Sequence, residues 1–541
     1  MDEQSNRPTP RHFMDGRESE ANESARFDPL RHTSPDEYSF PDGEAQSVQA
    51  MMRAGVTAAR MRRLEYQVAS LQKELEEATS ALNAISTSVM WQATGPIRRL
   101  AEVVPPRLRR NMVRAAKVAW WIASFQIWRK WQAWQHAREL RRACPPPLPS
   151  APALSAKESP KALIIDNRWP QPDRDGGSID VFNLVAGLLA FGFEVTFVAD
   201  QEYDLVSADR DELTRRGVRC VSSSDATNTE DLLKREGQDI ALCVLSRVYG
   251  GGRFLQLVTR HCPSAAVVFK AIDLHFVRVE REAKLRGIAA DAAIADLRTR
   301  EEELVRMADA TMVVSAAERQ MLAEIVPGAY VVEMPLARIV HASCPPFATR
   351  RGIGFIGGFA HTPNGDALDW FLEDIWPLVR RDLPECEFSI VGADLPPHLI
   401  ARLPPSVHYL GHLPDIGPWF DSLRLSVAPL RFGAGAKGKV ASSLAAGVPC
   451  VTTSIGAEGM RLHPGETVLV ADTAQDFAAR IRDAYEDQAL WERLSANGLA
   501  HAALQLSPSG WRDKLGHMLA NIGALPTGKM ASRHACQSTT A

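Results

Sequence analysis

Short apolar runs of strand length alternate with helical stretches from residue 161 onward, and this alternation occurs twice along the chain. Strand-like runs in the first series lie at 162–166, 194–200, 240–245, 266–270 and 310–314, with a helix predicted over 178–191. After a pause at 334–350, strand-like runs return at 353–358, 387–394, 407–411 and 425–430, with a helix predicted over 364–379. Such alternation is typical of parallel sheets covered by helices on both faces. The sequence therefore predicts an α/β fold with two doubly wound, Rossmann-like domains facing a cleft, where ligands bind at the carboxyl ends of the strands.

The segment PLRFGAGAKGKVASSLAAGVPCVTTSIGAEGM (429–460) predicts an anion-binding site in the second domain. Its order is a short strand, a glycine-rich loop, an alanine-rich helix and a buried strand. Backbone N–H groups freed by Gly433, Gly435 and Gly438 can face an anion at the helix start, where the helix dipole favours negative charge. Lys437 and Lys439 add two positive charges at the same place. Because lysines opposed to the helix dipole need an anionic partner, the segment indicates an enzyme acting on a nucleotide or a nucleotide sugar.

The composition is that of a globular protein with two or three domains: 541 residues, of which 45% are apolar and 23% charged. A net charge of −3 argues against a general nucleic-acid binder. The eight cysteines contain no CxxC pair, which argues against a zinc ribbon and indicates reduced thiols in the cytoplasm. The polar N-terminus predicts no signal peptide, and the lack of an 18-residue apolar run predicts no membrane-spanning helix.

The N-terminal part has a different character from the predicted domains. Residues 1–55 are rich in Ser, Pro and charged residues and predict disorder. Apolar residues then recur at alternating spacings of three and four, which predicts a coiled coil over 56–90. They are Met61, Leu64, Val68, Leu71, Leu75, Ala78, Leu82, Ile85 and Val89. This pattern predicts a homo-oligomer or a partner helix bound through 61–89, and packing of the helix on its own protein is the alternative.

Residues 91–143 form a basic, tryptophan-rich segment. Positions 91–142 contain twelve Lys or Arg and two Glu. The tryptophans cluster as Trp120, Trp121, Trp128, Trp131 and Trp134. Tryptophan favours the membrane interface and Lys or Arg favours anionic headgroups, so the segment predicts an amphipathic helix on the inner face of the cytoplasmic membrane. Burial against the other domains and nucleic-acid binding are the alternatives. A proline-rich stretch at 144–160 predicts a linker.

The second series of elements resembles the donor-binding region of retaining glycosyltransferases with the GT-B fold (glycosyl transferases group 1, family 4-like). The resemblance lies in GAKGK (435–439) with the following SSLAAGVPCVTTSIGAEGM, in FIGGFAHTPNGDALDWF (355–371) and in NRWPQPDRDGGS (167–178). It spans roughly residues 161–520. It implies an acceptor domain over 161–345 and a nucleotide-sugar donor domain over 346–523, with a disordered tail at 524–541.

The resemblance implies that Lys437 and Lys439 contact the donor diphosphate and stabilise the departing nucleoside diphosphate, with no metal and no other cofactor. The chain departs from the family pattern at Ser442, which stands where a glutamate usually binds the ribose. The earlier acidic position of the family falls at Ala434. Glu458 is the nearest remaining carboxylate, and it is predicted either to contact the donor or to cap its own turn.

Glycines and polar residues that follow the strands predict the rest of the donor site. Gly176 and Gly177 lie between the first strand and its helix, so their N–H groups can reach a phosphate or the sugar. Gly358 ends the run at 353–358, His361 and Asn364 lie in the turn after it, and Asn364 is also predicted to be the helix N-cap. The predicted donor contacts are completed by Gly433, Gly435 and Ser442.

The acceptor side is predicted from the first domain. His275 follows the run at 266–270, and it can hydrogen-bond a sugar hydroxyl or stabilise a cationic transition state through its backbone carbonyl. An ordinary surface histidine is the alternative. The residues predicted to contact the acceptor are Arg174, Arg247 and Asp273.

Together these features predict an enzyme that moves a sugar from a nucleoside-diphosphate sugar to a saccharide or lipid-linked acceptor. The resemblance implies retention of the anomeric configuration and a bacterial type of cell-surface polysaccharide biosynthesis. Another nucleotide-sugar enzyme of the same fold, such as an epimerase or a hydrolase, is one alternative. A catalytically decayed membrane-associated scaffold is another. A dinucleotide oxidoreductase is disfavoured because no GxGxxG follows the first strand.

Overall fold

The computed structural model describes residues 42–87, 159–172, 174–289, 291–341 and 345–525. Four predicted features lie wholly or mostly outside these residues. They are the start of the region predicted to be disordered (1–41), the basic tryptophan-rich segment (91–143), the proline-rich linker up to 158, and the tail from 526 to 541. Within the described part of the chain, no helix has the length and apolar character needed to cross a membrane.

Strands and helices largely alternate along the described residues after one long N-terminal helix. The strands are β1 (Lys161–Asp166), β2 (Glu194–Ala199), β3 (Arg219–Cys220), β4 (Ile240–Ser246), β5 (Ala266–Lys270), β6 (Ala310–Val313), β7 (Val331–Glu333), β8 (Arg351–Ile356), β9 (Phe388–Val391), β10 (Val407–Gly411), β11 (Leu423–Ala428), β12 (Cys450–Thr452) and β13 (Leu469–Val470).

The helices are α1 (Asp42–Thr87), α2 (Gly176–Ala190), α3 (Ala208–Arg215), α4 (Thr229–Glu236), α5 (Leu255–His261), α6 (His275–Leu285), α7 (Ala292–Met307), α8 (Ala316–Ile325), α9 (Thr362–Trp370), α10 (Trp376–Asp382), α11 (Pro397–Ile400), α12 (Gly417–Ser422), α13 (Gly438–Ala445), α14 (Ser454–Ala457), α15 (Ala474–Glu486), α16 (Gln488–Gln505) and α17 (Pro508–Asn521). Short 3₁₀ turns occur at Gly237–Asp239, Gly251–Phe254 and Phe347–Thr349, and a π-helical turn at Phe371–Ile375 joins α9 to α10.

The first domain is a seven-stranded sheet in the order β3-β2-β1-β4-β5-β6-β7, and its neighbouring strands run parallel. Successive side chains of β1 enter different cores: Ile164 belongs to one apolar cluster, and Leu163 and Ile165 belong to another. Both faces are therefore covered, which explains why the strands read as continuous apolar runs.

The second domain is a six-stranded parallel sheet in the order β10-β9-β8-β11-β12-β13. Aromatic side chains fill one face, with the rings of Phe371 and Phe388 at 4.6 Å and those of Trp376 and Phe388 at 5.5 Å. The prediction of two doubly wound, Rossmann-like domains is confirmed.

The last helix departs from the predicted domain boundary. α17 lies within the range 346–523 assigned to the second domain, yet its apolar residues pack in the first domain. Trp511, Leu515 and Met518 belong to the cluster that contains Val181 and Leu188 of α2. The chain therefore crosses from the second domain back to the first near residue 506, a return that no local pattern in the sequence reveals.

The N-terminal helix begins earlier than predicted and packs on the first domain. α1 starts at Asp42, inside the stretch 1–55 that was predicted to be disordered. Residues 44–54 (EAQSVQAMMRA) are mostly good helix formers, which is why the helix extends back from the heptad region. Val56 and Ala59 are buried, and Arg63 makes a 2.6 Å ion pair with the buried Asp309.

Candidate active site

A cleft of about 390 Å³ lies where the carboxyl ends of the two sheets face each other. Its volume falls within the range of small-molecule sites. Each domain contributes a loop and a helix start: the loop after β1 with α2, and the loop after β11 with α13. The cleft therefore lies at the position that the strand order of a doubly wound sheet predicts for a ligand.

The lysine loop forms the second domain's wall of the cleft. Gly433 and Gly435 have φ values of 149° and 67°, which a residue with a side chain rarely adopts. This turn brings Lys437 to the N-cap of α13. Its Nζ donates to the backbone carbonyls of Ala434 (3.1 Å) and Gly435 (2.5 Å). Lys439 Nζ donates to Asn364 Oδ1 at 2.6 Å.

Neither lysine has a described carboxylate at ion-pair distance. Burial lowers the pKa of Lys437 to about 8, and the charge of Glu318 opposes this shift only in part. Burial, together with the charge of Lys437, lowers the pKa of Lys439 to about 7. Two buried amines with lowered pKa values and carbonyl or amide partners form a site that an anion would complete.

The first domain presents the N-terminus of α2 to the same cleft. Asp175 is the N-cap and accepts a 2.8 Å hydrogen bond from the Ser178 backbone N–H. Gly176 lies against Gly438, the first residue of α13: a Cβ on Gly176 would stand 3.8 Å from the Gly438 Cα. The two helix starts therefore meet across the cleft, so their partial positive charges converge on one region.

Arg338 is a cleft residue that the sequence did not indicate. Its Nε lies 3.3 Å from Ser442 Oγ, and its Nη1 lies 3.7 Å from Asp180 Oδ1. Its second guanidinium nitrogen is buried without a hydrogen-bond partner among the described residues. Burial raises the pKa of Asp180, and the Arg338 charge opposes that shift. Arg338 lies in the pause at 334–350, a segment without a periodic pattern that would predict the position of its side chain.

His275 begins α6 and lies beside two carboxylates. Its Nδ1 is 3.4 Å from Asp273 Oδ1 and 3.7 Å from Glu301 Oε1. Asp273 also pairs with Arg278 at 2.8 Å. Burial lowers the pKa of His275, although Asp273 opposes this shift. Nδ1 also lies 3.3 Å from the Asp273 backbone carbonyl, so a proton on Nδ1 makes the other ring nitrogen of a neutral His275 a hydrogen-bond acceptor.

The carboxylate of Glu301 fixes the backbone of His275. Its carboxylate accepts hydrogen bonds from the backbone N–H groups of His275 (3.1 Å) and Phe276 (2.8 Å), so it caps the start of α6. Burial raises the pKa of Glu301 to about 7. The sequence did not single out Glu301, because a glutamate in a charged helix gives no local signal of burial.

Arg247 and Tyr249 follow β4 at the edge of the same region. Arg247 has a φ of 61°, an uncommon conformation for a residue with a side chain, and its Nη1 lies 2.5 Å from Asp166 Oδ1. The half-exposed ring of Tyr249 meets the His275 ring edge-on, with centroids 6.1 Å apart. Strain at a strand end beside a cleft is typical of functional loops.

Gly358, His361 and Asn364 line the cleft from the turn after β8. The predicted N-cap role of Asn364 is wrong: α9 begins at Thr362, and His361 is its N-cap residue. The helix starts two residues earlier because Pro363 is accommodated in its first turn. Asn364 instead donates to the Gly358 carbonyl at 2.7 Å and accepts from Lys439.

Glu458 lies beside the cleft and pairs with the first domain. Its two carboxylate oxygens accept hydrogen bonds from Arg281 at 2.6 and 2.7 Å, and Arg281 also donates to the Gly433 carbonyl at 2.8 Å. Although burial raises it, hydrogen bonding to Arg281 leaves the pKa of Glu458 below its usual value. The carboxylate is thus engaged in a bridge between the two domains.

The structure brings most of the predicted site residues together. Those that line the cleft are Arg174, Gly176, Gly177, Arg247, Asp273, His275, Gly358, His361, Asn364, Gly433, Lys437, Lys439 and Ser442. Gly435 and Glu458 lie just behind this lining. Additional lining residues that the sequence did not indicate include Arg168, Asp180, Arg278 and Arg338, and Asp175, which flanks the predicted glycines, lines the cleft as well. Among the described residues, no group of three or more His, Cys, Asp or Glu has an arrangement suited to a metal ion.

The fold and the cleft define a two-domain protein of the GT-B type. Residues 350–487 match the family model described as Glycosyl transferases group 1. The predicted enzyme class, glycosyltransferase, is supported by this match and by the fold. No curated protein matches the chain at a significant level of sequence similarity.

Several solved structures share the fold at low sequence identity. The sucrose-phosphate synthase of Thermosynechococcus elongatus is 16% identical with a TM-score of 0.53, and the match covers 68% of this chain and 100% of that one. HepE of Anabaena, solved with UDP and glucose, is 13% identical with a TM-score of 0.51, covering 67% and 100%. A glycosyltransferase of Rickettsia africae is 10% identical with a TM-score of 0.50, covering 68% and 99%. The GT-B fold predicted from the sequence is therefore confirmed.

Proposed function

We propose that the chain transfers a sugar from a nucleoside-diphosphate sugar to a saccharide or lipid-linked acceptor, with retention at the anomeric carbon and without a metal. One observation carries the proposal: Lys437 and Lys439 lie at a helix start in a cleft and lack a carboxylate partner among the described residues. A diphosphate would supply the missing negative charge. Fixed cations there stabilise the leaving nucleoside diphosphate as the glycosidic bond breaks.

The remaining cleft residues take complementary parts in this proposal. Backbone N–H groups of Gly176 and Gly177 face the donor from the first domain. His275, held by Asp273 and Glu301, offers a neutral ring nitrogen to a sugar hydroxyl. Ser442 stands where a glutamate would bind the ribose, and its hydroxyl contacts Arg338. In this proposal the ribose is therefore bound by residues other than a carboxylate at this position. Arg174, Arg247 and Asp273 are proposed to meet the acceptor.

The proposal is tested by incubating the full chain with a panel of nucleoside-diphosphate sugars, UDP-glucose first because the HepE structure contains UDP and glucose. We expect release of nucleoside diphosphate only when a saccharide acceptor is present. The anomeric coupling constant of the product, measured by NMR, should match that of the donor. Turnover without acceptor would instead indicate a hydrolase or an epimerase, and an inverted product would refute retention.

A matched pair of variants separates an enzyme from a decayed scaffold. Lys437→Ala with Lys439→Ala should abolish the thermal stabilisation that UDP gives the wild type, because ligand binding stabilises a fold by mass action. Lys234→Ala, a change at an exposed lysine that pairs with Glu230, should leave this stabilisation unchanged. Absence of any stabilisation of the wild type across the donor panel would contradict the proposal.

We further propose that the basic segment 91–142 holds the protein at an anionic membrane surface, in keeping with a lipid-linked acceptor in cell-surface polysaccharide biosynthesis. The support is its cluster of tryptophans among twelve Lys or Arg. Replacing Trp120, Trp121 and Trp128 by Glu should release the chain from vesicles that contain anionic lipid. Co-sedimentation that is unchanged by these substitutions would refute a membrane role for the segment.

A further inference from the structure

α1 carries an exposed apolar stripe on the side that faces away from the first domain. The stripe consists of Met61, Leu64, Val68, Leu71 and Leu75, whose exposed fractions lie between 53% and 68%. Ala78 continues it at the same spacing and is also exposed. Single exposed apolar side chains are common on protein surfaces, but five in one continuous row on a helix indicate an interaction surface.

The opposite side of the same helix is fixed to the first domain. Val56, Ala59 and Arg63 are buried there, and Gly55 approaches the Gly328 carbonyl so closely that a Cβ would stand 2.2 Å from the oxygen. At 100° per residue, Ala59 and Arg63 project roughly 130–170° away from the midline of the stripe. The helix therefore uses one face for its own domain and leaves the heptad face open.

Polar contacts strengthen this attachment along the helix. Arg60 Nε lies 3.1 Å from Asp309 Oδ1, and Arg63 donates to the Met307 carbonyl at 2.5 Å. Further along, Gln67 donates to the Thr259 carbonyl and Glu74 pairs with Arg260. The stripe is thus presented by a helix that is held against the domain over five turns.

We propose that the occupant of this stripe is the same stripe of a second copy of this chain, in a parallel, in-register coiled coil over residues 61–78. The spacing of three and four is the period of a left-handed two-helix supercoil. Val68 at an a position with Leu64 and Leu71 at d positions is the combination that favours two strands. No polar residue interrupts the stripe from Met61 to Ala78.

The flanking positions fit a parallel pair. In this register the g residues Arg60, Gln67 and Glu74, all of which contact the first domain, face the e residues Glu65, Gln72 and Thr79 of the other copy. No facing pair places like charges together, so the charges do not oppose self-pairing, and the uninterrupted apolar stripe carries the proposal. Because the first domain lies behind each helix, the two copies carry their domains on the outer sides of the pair, where they do not compete for the stripe.

Sedimentation of the full chain over a concentration series tests the proposal. We expect a particle of twice the 59.5 kDa chain mass. Leu64→Glu with Leu71→Glu should reduce the mass to one chain, with helix content and thermal midpoint retained as evidence of folding. Ala69→Glu with Ser80→Glu is the matched control, because both residues are exposed and lie off the stripe, and this variant should remain a dimer.

The orientation is tested by cross-linking. Leu71→Cys should give a covalent dimer on mild oxidation, since a parallel, in-register pair brings the two positions together, and Ala69→Cys should give no more than the wild type. A monomeric wild type, as expected if another segment of the chain covers the stripe, would overturn the proposal. A dimer that survives the Leu64→Glu and Leu71→Glu changes, or one that Leu71→Cys does not cross-link, would overturn it as well.

Discussion

Lys437 and Lys439 lie in surroundings that disfavour a protonated lysine side chain. Each amine has lost water without gaining a carboxylate, and each lies at the start of α13, where the dipole repels a cation. Under the proposed function, the phosphates of the donor would offset this cost when they bind. The arrangement is the usual one for a residue whose task is binding rather than stability.

The lowered pKa values make nucleoside-diphosphate binding dependent on pH. Between pH 7 and 9 the ligand-free lysines lose their protons, because the pKa values are about 8 for Lys437 and about 7 for Lys439. A bound diphosphate favours the charged amines, so binding takes up protons and weakens as the pH rises, by up to about tenfold per pH unit for each proton taken up.

Calorimetric titration with UDP in two phosphate-free buffers of different ionisation enthalpy measures both the proton uptake and the change of affinity with pH. Lys439→Arg, which cannot deprotonate, should flatten the profile; a Kd that stays constant from pH 7 to 9 would disprove this account.

At the residue scale, the sequence predicted the positions that follow strands and failed for contacts between distant segments. Lys437, Lys439 and His275 were found because each stands where a strand ends and a helix begins. The pair of Arg281 and Glu458 joins residues 177 positions apart, and Arg338 meets Asp180 from an irregular segment. Such contacts depend on how the two domains lie together, which no local pattern contains.

At the scale of elements, two glycines differ in whether their surroundings leave room for a side chain. Gly251 packs on β1: an added Cβ would stand 2.2 Å from the Ile165 carbonyl oxygen and 2.6 Å from the Ser246 nitrogen. Gly365 lies within α9, where an added Cβ meets no atom within 4 Å. The first glycine is required by a close approach of two chain segments, and the second is not.

Alanine substitutions should therefore change stability in opposite directions. Gly251→Ala is expected to lower the free energy of unfolding by about 1–3 kcal/mol, since backbone atoms cannot move aside easily. Gly365→Ala is expected to raise it by about 0.5–1 kcal/mol, because alanine is the better helix former. Urea denaturation of both variants beside the wild type provides the measurement. Equal effects of the two substitutions would show that the packing around Gly251 is not as close as described.

The elements themselves were largely predictable, and their boundaries were less so. Buried parallel strands give continuous apolar runs, so β1, β5 and β8 were located to within two residues. The sequence predicts that α1 begins later than it does, because a polar N-terminal stretch resembles a disordered one in composition. The sequence predicts α17 as part of the second domain, whereas it packs in the first, because an amphipathic helix does not indicate which of two cores receives its apolar face.

At the scale of the whole molecule, contacts between the domains beside the cleft hold them together. Arg281 reaches from α6 to Glu458, and the Ala316 backbone N–H donates to the Gly459 carbonyl at 3.1 Å. Gly459 has a φ of 72°, and a Cβ there would overlap Ser315. These contacts hold the second domain against α6 and α8, next to the lysine loop.

Charge reversal at this bridge should open the cleft. Glu458→Arg places two guanidinium groups together, so we expect a larger radius of gyration in X-ray scattering and a UDP affinity weakened by about three- to tenfold. Adding Arg281→Glu restores opposite charges and should recover most of both losses. If the double variant is no better than the single one, the bridge does not control closure.

The return of α17 to the first domain has a mechanical consequence. The chain passes between the domains once within 334–350 and again near residue 506, and the Arg338 backbone N–H donates to the Leu506 carbonyl at 2.7 Å where the two passages run side by side. We expect two adjacent crossings to act as a hinge line, about which the domains swing while sliding and twisting are resisted. We expect any opening of the cleft to follow mainly this one coordinate, which would return the lysine loop to the same place opposite α2.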